Sequence, residues 1–545
     1  MEVRKGIVAT NPNTGAFQYY EGLDKWGMQN FIFSNEGRRD AVVESDFFPQ
    51  ELGEELIRGF FKYIHPQAPI LDYSVVLHDW KEISKNPDNC VSSDGRRIIQ
   101  MVLAIGACVL CSQKNEDSGF LEKWSKILSK RADAGVKYFE DPTVGGIQVL
   151  VLKTLYALQI MKANEAFMYV GHAARSVLAL GLNRQQVVHA DPQTTYHLKI
   201  LFWSIYIYER MSALMTGRPS CLQENQIDIT LPEDILTQLP STEVTTDCAW
   251  IRAMAELSRI ADKILTLICS TVTSSGDIEH VQHFMDECKA AMEAMKERLP
   301  ASLHFFNPEM PIGTNSQEIQ RSHLGFTYYL ISMVLYRPSL VYSSLFESPS
   351  KAQESTAHAL DILSSIDIAM QSARNLIQLA YTVYFHRFPD IKQDRIIVTY
   401  LVYACATLLY DVLVPGSDIG YARDAFGSVD DAIQCLEQVV NIGTTTGKNV
   451  SLEIMKVAKE AWTAAGYNLD SHVDFIEDFP WLVDDITDEL PPADNDGFNS
   501  AFFALHESLD FMTVSPHFPD LPPVPSFEAD APLTLGEHIS HRTKP

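Results

Sequence analysis

Apolar residues recur every three to four positions along most of the chain, the period of a helix that buries one face. The pattern starts near Glu51, where Leu52, Leu56, Phe60 and Ile64 share a face and Pro66 stops the run. From Arg97 to Arg218 a succession of apolar helices follows, broken at DPTVGG (141–146) and closed where Gly181 and Gly217 suit the left-handed position after a last turn. A polar linker at 240–247 separates this block from two more helices. Trp250, Met254, Leu257, Ile264 and Ile268 mark the face of the first, and Ile278, Val281, Met285, Cys288, Met292 and Met295 that of the second. Such a methionine stripe suits core packing better than an adaptable binding face. Further helices are predicted at about 319–336, 356–384, 392–414, 428–441 and 450–465. No strand-like alternation of useful length competes, so the predicted fold class is all-α, a large multi-helix domain.

The ends depart from this pattern. Residues 1–45 are polar and rich in Gly and Asn, a loosely ordered lead-in, and 46–466 form the helical body. Residues 467–545 are acidic, aromatic and proline-rich, with too little to bury against their chain entropy, and are predicted to be a disordered tail. Within that tail, Phe475, Phe479, Trp481 and Leu482 stand among acids in an acidic-hydrophobic activation pattern, in which repulsion would keep the aromatics accessible to a partner groove. The alternative is that this segment packs back on the body.

Charge sharpens the division. The net charge is -27, but 460–541 contain no Lys or Arg and 17 acids, which leaves the rest at about -10. Neither part has the basic surface that supplies phosphate affinity, so autonomous nucleic-acid binding is not expected. The nine cysteines are scattered and read as reduced. Cys108 and Cys111 have the spacing of zinc or redox pairs, but they fall in one apolar helix with no second pair nearby, and a packed face accounts for them. The longest uncharged apolar run, Ile396 to Tyr410, is too short to span a bilayer, and the N-terminus has no signal-peptide pattern.

Two neighbouring segments carry more than periodicity. GHAARSVLALGLNR (171–184) and FWSIYIYERMSALMTGRPSCLQENQIDITLP (202–232) together resemble the fungal-specific transcription factor domain, the regulatory middle region of zinc-cluster transcription factors. Arg175, Leu180, Gly181, Leu182 and Arg184 fall in register with one family motif, Asn183 replacing a histidine. Phe202, Trp203, Ser204, Tyr206, Arg210, Gly217, Arg218, Pro219, Ile227, Asp228, Leu231 and Pro232 match the second, with Glu209 in place of Asp. HPQAPIL from His65 and Tyr336-Arg337-Pro338 extend the likeness to about 50–465. These residues read as architectural: Arg218 is placed to bond the open carbonyls at a helix end, and Trp203 and Tyr206 to pack in the core.

The resemblance implies a regulator of RNA polymerase II genes, such as a metabolic or secondary-metabolite set, acting in the nucleus or shuttling from it. It also implies protein partners in the transcription machinery or a DNA-binding regulator, with a homo- or heterodimer compatible. Family members bind zinc through a six-cysteine cluster ahead of this domain. Here no cysteine precedes Cys90, so no cofactor is expected in these residues. DNA contact would come from a partner or from a zinc cluster outside this sequence. The alternative is an interaction protein that modulates another regulator without binding DNA.

Catalytic readings have weak anchors. Asp484-Asp485-Ile486-Thr487-Asp488 spells the DDxxD of isoprenoid synthases, but it sits in the proline-flanked tail without a second metal motif. Residues 443–448 imitate a phosphate loop with wrong spacing and no preceding strand. No enzyme is expected.

Overall fold

The computed structural model describes residues 50–482 apart from 86–90, 112–117, 134–140, 189–190, 234–246, 270–274, 344–345, 347, 357–359, 413–418, 440–446 and 465–477. Among the described residues the architecture is helical without strands. The first half comprises α1 (Gln50–Tyr63), α2 (Tyr73–Lys85), α3 (Ser93–Leu110), α4 (Ser118–Asp133), α5 (Val144–Gln159), α6 (Ala163–Ala179), α7 (Pro192–Thr216), α8 (Asp247–Cys269) and α9 (Ser275–Glu297). The second comprises α10 (Asn315–Ser343), α11 (Pro349–Ser355), α12 (Ile362–Thr382), α13 (Ile396–Val412), α14 (Ile419–Glu437) and α15 (Gly447–Ala464).

Local sequence explains the helix ends. Ser92 and Thr143 accept from Gly95 and Gly146 backbone N–H groups to start α3 and α5, and Asp191 caps α7 just before Pro192. Gly181 and Gly217 take φ of 71° and 63°, as the sequence predicts for the residues that close α6 and α7. Pro338 departs from expectation: α10 runs through it to Ser343 instead of stopping near 336. The flanking turns hold the helix together there, since Tyr336, Arg337, Ser339 and Leu340 are all buried against neighbours.

Packing joins the halves. In the first, α3 contacts α1, α4 and α5, and α5 to α8 each contact the next; in the second, α12 lies against α10, α13 and α14, and α15 against α13 and α14. The close crossing of α1 and α3 requires Gly106, where a Cβ would collide with the Leu56 carbonyl. Helix α10 links the two sets through α8, α1 and the short 3-10 turn His65–Gln67. Met285, Cys288, Met292 and Met295 are buried on α9, which makes the methionine stripe core.

Candidate functional site

The motif residues converge on the loop after α7. Helix α7 is buried all round from Ile200 to Met215, and its Trp203 indole donates to the Thr230 carbonyl at 3.1 Å. Arg210, 1% exposed, donates to Glu224 at 2.8 Å and to the Leu222 carbonyl at 3.0 Å. Its guanidinium also stacks on Tyr206 at 4.1 Å and lies 3.5 Å from Asp262. Glu224 further accepts from the Tyr206 hydroxyl and pairs with Arg259 at 3.1 Å. Glu209 accepts from the Cys221 backbone N–H, and burial pushes its carboxyl up from 4.5 to about 7. Sequence reasoning noticed Glu209 only as a replacement, yet it is the carboxylate that pins the loop to α7.

The first motif meets the second through backbone. The Asn183 carbonyl receives the N–H groups of Asp228 and Ile229, its side chain donates to the Gln226 carbonyl at 2.6 Å, and Asp228 accepts from Gln185 N–H at 2.6 Å. Arg218 differs from expectation in one respect. Its backbone N–H satisfies the Ala213 carbonyl, while its guanidinium reaches Asn164 at 2.6 Å and stacks over Phe167. The left-handed Gly217 turns the chain so that the amide already serves the helix end. Phe202 is buried, whereas Arg175, Arg184, Pro219 and Asp228 are exposed. These groups fasten helices to a loop, and nothing in their arrangement presents an activated nucleophile.

A second assembly lies deeper and was not read from the sequence. Asp394, 1% exposed, accepts from Gln159 at 2.6 Å, from Gln67 and from the Ile396 backbone N–H at 3.3 Å, and it meets His323 Nε2 at 2.6 Å. Arg395, next along, reaches the sulfurs of Cys108 and Cys111, both at 3.0 Å, and the Cys108 carbonyl at 2.5 Å. The two thiols therefore share a face as their spacing predicts, and burial pushes that of Cys108 up, as befits an inert thiol. The signal available in sequence was the charged pair Asp394-Arg395 placed directly before a wholly apolar run.

Beside this centre is a cavity of about 30 Å³ lined by Gln67, His323, Ser212, Met211, Met254 and Tyr400 among others. That is room for a water or two, not for a metabolite. Among the described residues no group of three or more His, Cys, Asp or Glu is disposed to hold a metal, and no helix is long and apolar enough to cross a membrane.

The aromatic segment after α15 does not sit as the accessible activation pattern requires. Phe479 and Leu482 are buried at 6% and 4%, and Trp481 is half-buried. The Trp481 ring stacks on Phe426 of α14 and its indole donates to Asp430 at 3.0 Å, while Arg423 pairs with Asp478 at 3.2 Å. Phe426 offers an apolar seat between Trp462 and Phe479, so burial of the rings outweighs the repulsion among the acids. Within the tail predicted from 467, residues 478, 479 and 481 thus pack against α14. Phe475 and the DDITD sequence lie outside the described residues.

Comparison with known proteins bears on this scaffold. The family model for the fungal specific transcription factor domain matches residues 57–307. Transcription regulator galc of Aspergillus niger is 22% identical over 361 residues, 56% of this chain and 43% of that protein. Protein STB5 of Saccharomyces cerevisiae is 22% identical over 441 residues, 74% of this chain and 53% of that protein. Transcriptional activator protein acu-15 of Neurospora crassa is 23% identical over 328 residues, 57% of this chain and 34% of that protein. The chain thus spans about half, or less, of the length of these relatives. Both motif segments lie inside the matched range and fold into one fastening around Arg210, so residues 57–307 are similar to the fungal specific transcription factor domain.

Proposed function

We propose that this chain is the regulatory part of a nuclear transcription regulator of RNA polymerase II genes, with a non-enzymatic role. DNA contact is supplied by a partner, or by a zinc cluster lying outside these residues. The observation that carries the reading is the motif loop. Residues 171–232 match the family in register, and their polar groups are consumed in holding α6, α7 and α8 together, which leaves them a scaffold's task. The relatives' names, transcription regulator and transcriptional activator, point the same way.

A second reading is favoured by the seating of Phe479 and Trp481 on α14. A chain that keeps these rings covered suits a modulator that binds another regulator rather than recruiting machinery itself. Fusing the whole chain to a heterologous DNA-binding domain separates the two. A reporter that responds to the fusion, up or down, supports the regulator. If the fusion is expressed and nuclear yet leaves the reporter at the level of the DNA-binding domain alone, the first reading fails.

A further inference from the structure

Four arginines in the described core have side chains almost wholly withdrawn from water: Arg210, Arg321, Arg337 and Arg395. Three have partners. Arg210 has Glu224 and Asp262, Arg321 has Glu318 at 2.6 Å, and Arg395 has the thiols and the Cys108 carbonyl. Arg337, 3% exposed, is the exception. Among the described residues its guanidinium has no hydrogen bond and no carboxylate within ion-pair distance, and Nη2 is fully enclosed without an acceptor.

The placement of Arg337 is well defined. Thr327 of α10 meets Tyr400 of α13 at 3.2 Å, and ten residues further along α10 Arg337 comes under the influence of Tyr403 and Tyr410 of α13. The Tyr403 hydroxyl donates to the Met215 carbonyl at 2.6 Å. Pro338 follows directly and has no N–H for the carbonyl one turn back. Burial lowers the Arg337 pKa to about 10, which leaves it a cation at any physiological pH.

An uncompensated buried cation is among the most expensive features a core can hold. A guanidinium fork presents paired N–H donors that match the two oxygens of a carboxylate or phosphate. We propose that Arg337 is the anchor of a binding site for a small oxyanion, a carboxylate- or phosphate-bearing molecule that enters between α10 and α13 and completes this part of the core. The site is separate from the 30 Å³ cavity, whose lining does not include Arg337. Because the readout is binding, the inference stands or falls independently of the transcription reading.

The test uses the full chain in thermal melts at constant ionic strength, with chloride replaced by malonate, succinate or inorganic phosphate. The expected result is a saturable rise in Tm with at least one of these, and whether malonate or phosphate is the stronger identifies the oxyanion. In Arg337→Leu the rise disappears, and the variant without ligand melts no lower than the wild type. Arg337→Lys keeps the charge without the fork and should weaken the probe about tenfold or more. This variant serves if the leucine form does not fold. No rise in the wild type with any probe, together with a fall in Tm for Arg337→Leu, would mean that a carboxylate of the chain itself or an ordered water already fills the place, and overturns the proposal. An equal rise in wild type and variant overturns it as well, since the anion then acts elsewhere.

Discussion

Arg210 and Arg337 are the same residue type at nearly the same burial, and they differ in everything that surrounds them. Arg210 is enclosed by Glu224, Asp262, the Leu222 carbonyl and the Tyr206 ring. Arg337 has two tyrosines nearby and, among the described residues, no hydrogen-bond partner for its buried Nη2. A buried charge that is satisfied from within acts as a rivet. One that is not satisfied marks a place where the chain expects something from outside.

The largest test of that contrast removes each charge. Arg210→Met would strand Glu209 and Asp262, and Glu224 would lose its strongest pair. It should cost about 3–5 kcal/mol in urea unfolding, whereas Arg337→Leu in the same assay is neutral or stabilising. Equal losses at the two positions would erase the distinction.

Next in size is a pH effect confined to the Arg210 side. The folded carboxyl of Glu209 titrates at about 7 and its unfolded counterpart at 4.5, so between these values the folded chain holds a proton that the unfolded chain has released. Stability should therefore fall as pH rises through that window, by on the order of 3 kcal/mol, and level off above it. In Glu209→Gln this component of the fall should vanish. A variant whose stability tracks the wild type across the window shows that the carboxyl titrates normally.

A smaller effect is expected at the aromatic seat. Trp481→Ala removes the stack on Phe426 and the bond to Asp430, for roughly 1–2 kcal/mol of local stability. Faster amide exchange at 478–482, with the global melt nearly unchanged, would show it. Smallest is the replacement of Cys108 and Cys111 by serine. A shift of within about 1 kcal/mol is expected, because a hydroxyl can still accept from Arg395.

Much of the fold was legible. The 3.6-residue period, the capping residues and the glycines after α6 and α7 are local signals, written where they act. The Arg210 fastening was half legible: its motif could be matched, but Glu209 could be valued only once Cys221 was seen folding back onto it. Of the Asp394 centre only the charged pair Asp394-Arg395 was legible, not its partners. Gln67 and Asp394 stand 327 residues apart and Cys108 and Arg395 stand 287 apart, and no periodicity encodes a meeting at that range. The aromatic segment misled for a related reason. Its composition describes a chain in water, and only the Phe426 ring on α14 decides that Phe479 and Trp481 have somewhere better to go.

The Asp394 centre also bears on how the molecule comes into being. The family match ends at residue 307, yet Gln67, Gln159 and Cys108 find their partners at 394 and 395, so the folded core extends past the matched range. While the ribosome is still making the second half, the first half has amides and thiols waiting for groups that have not been translated. Closure of the core therefore waits until residues 394 and 395 have been made.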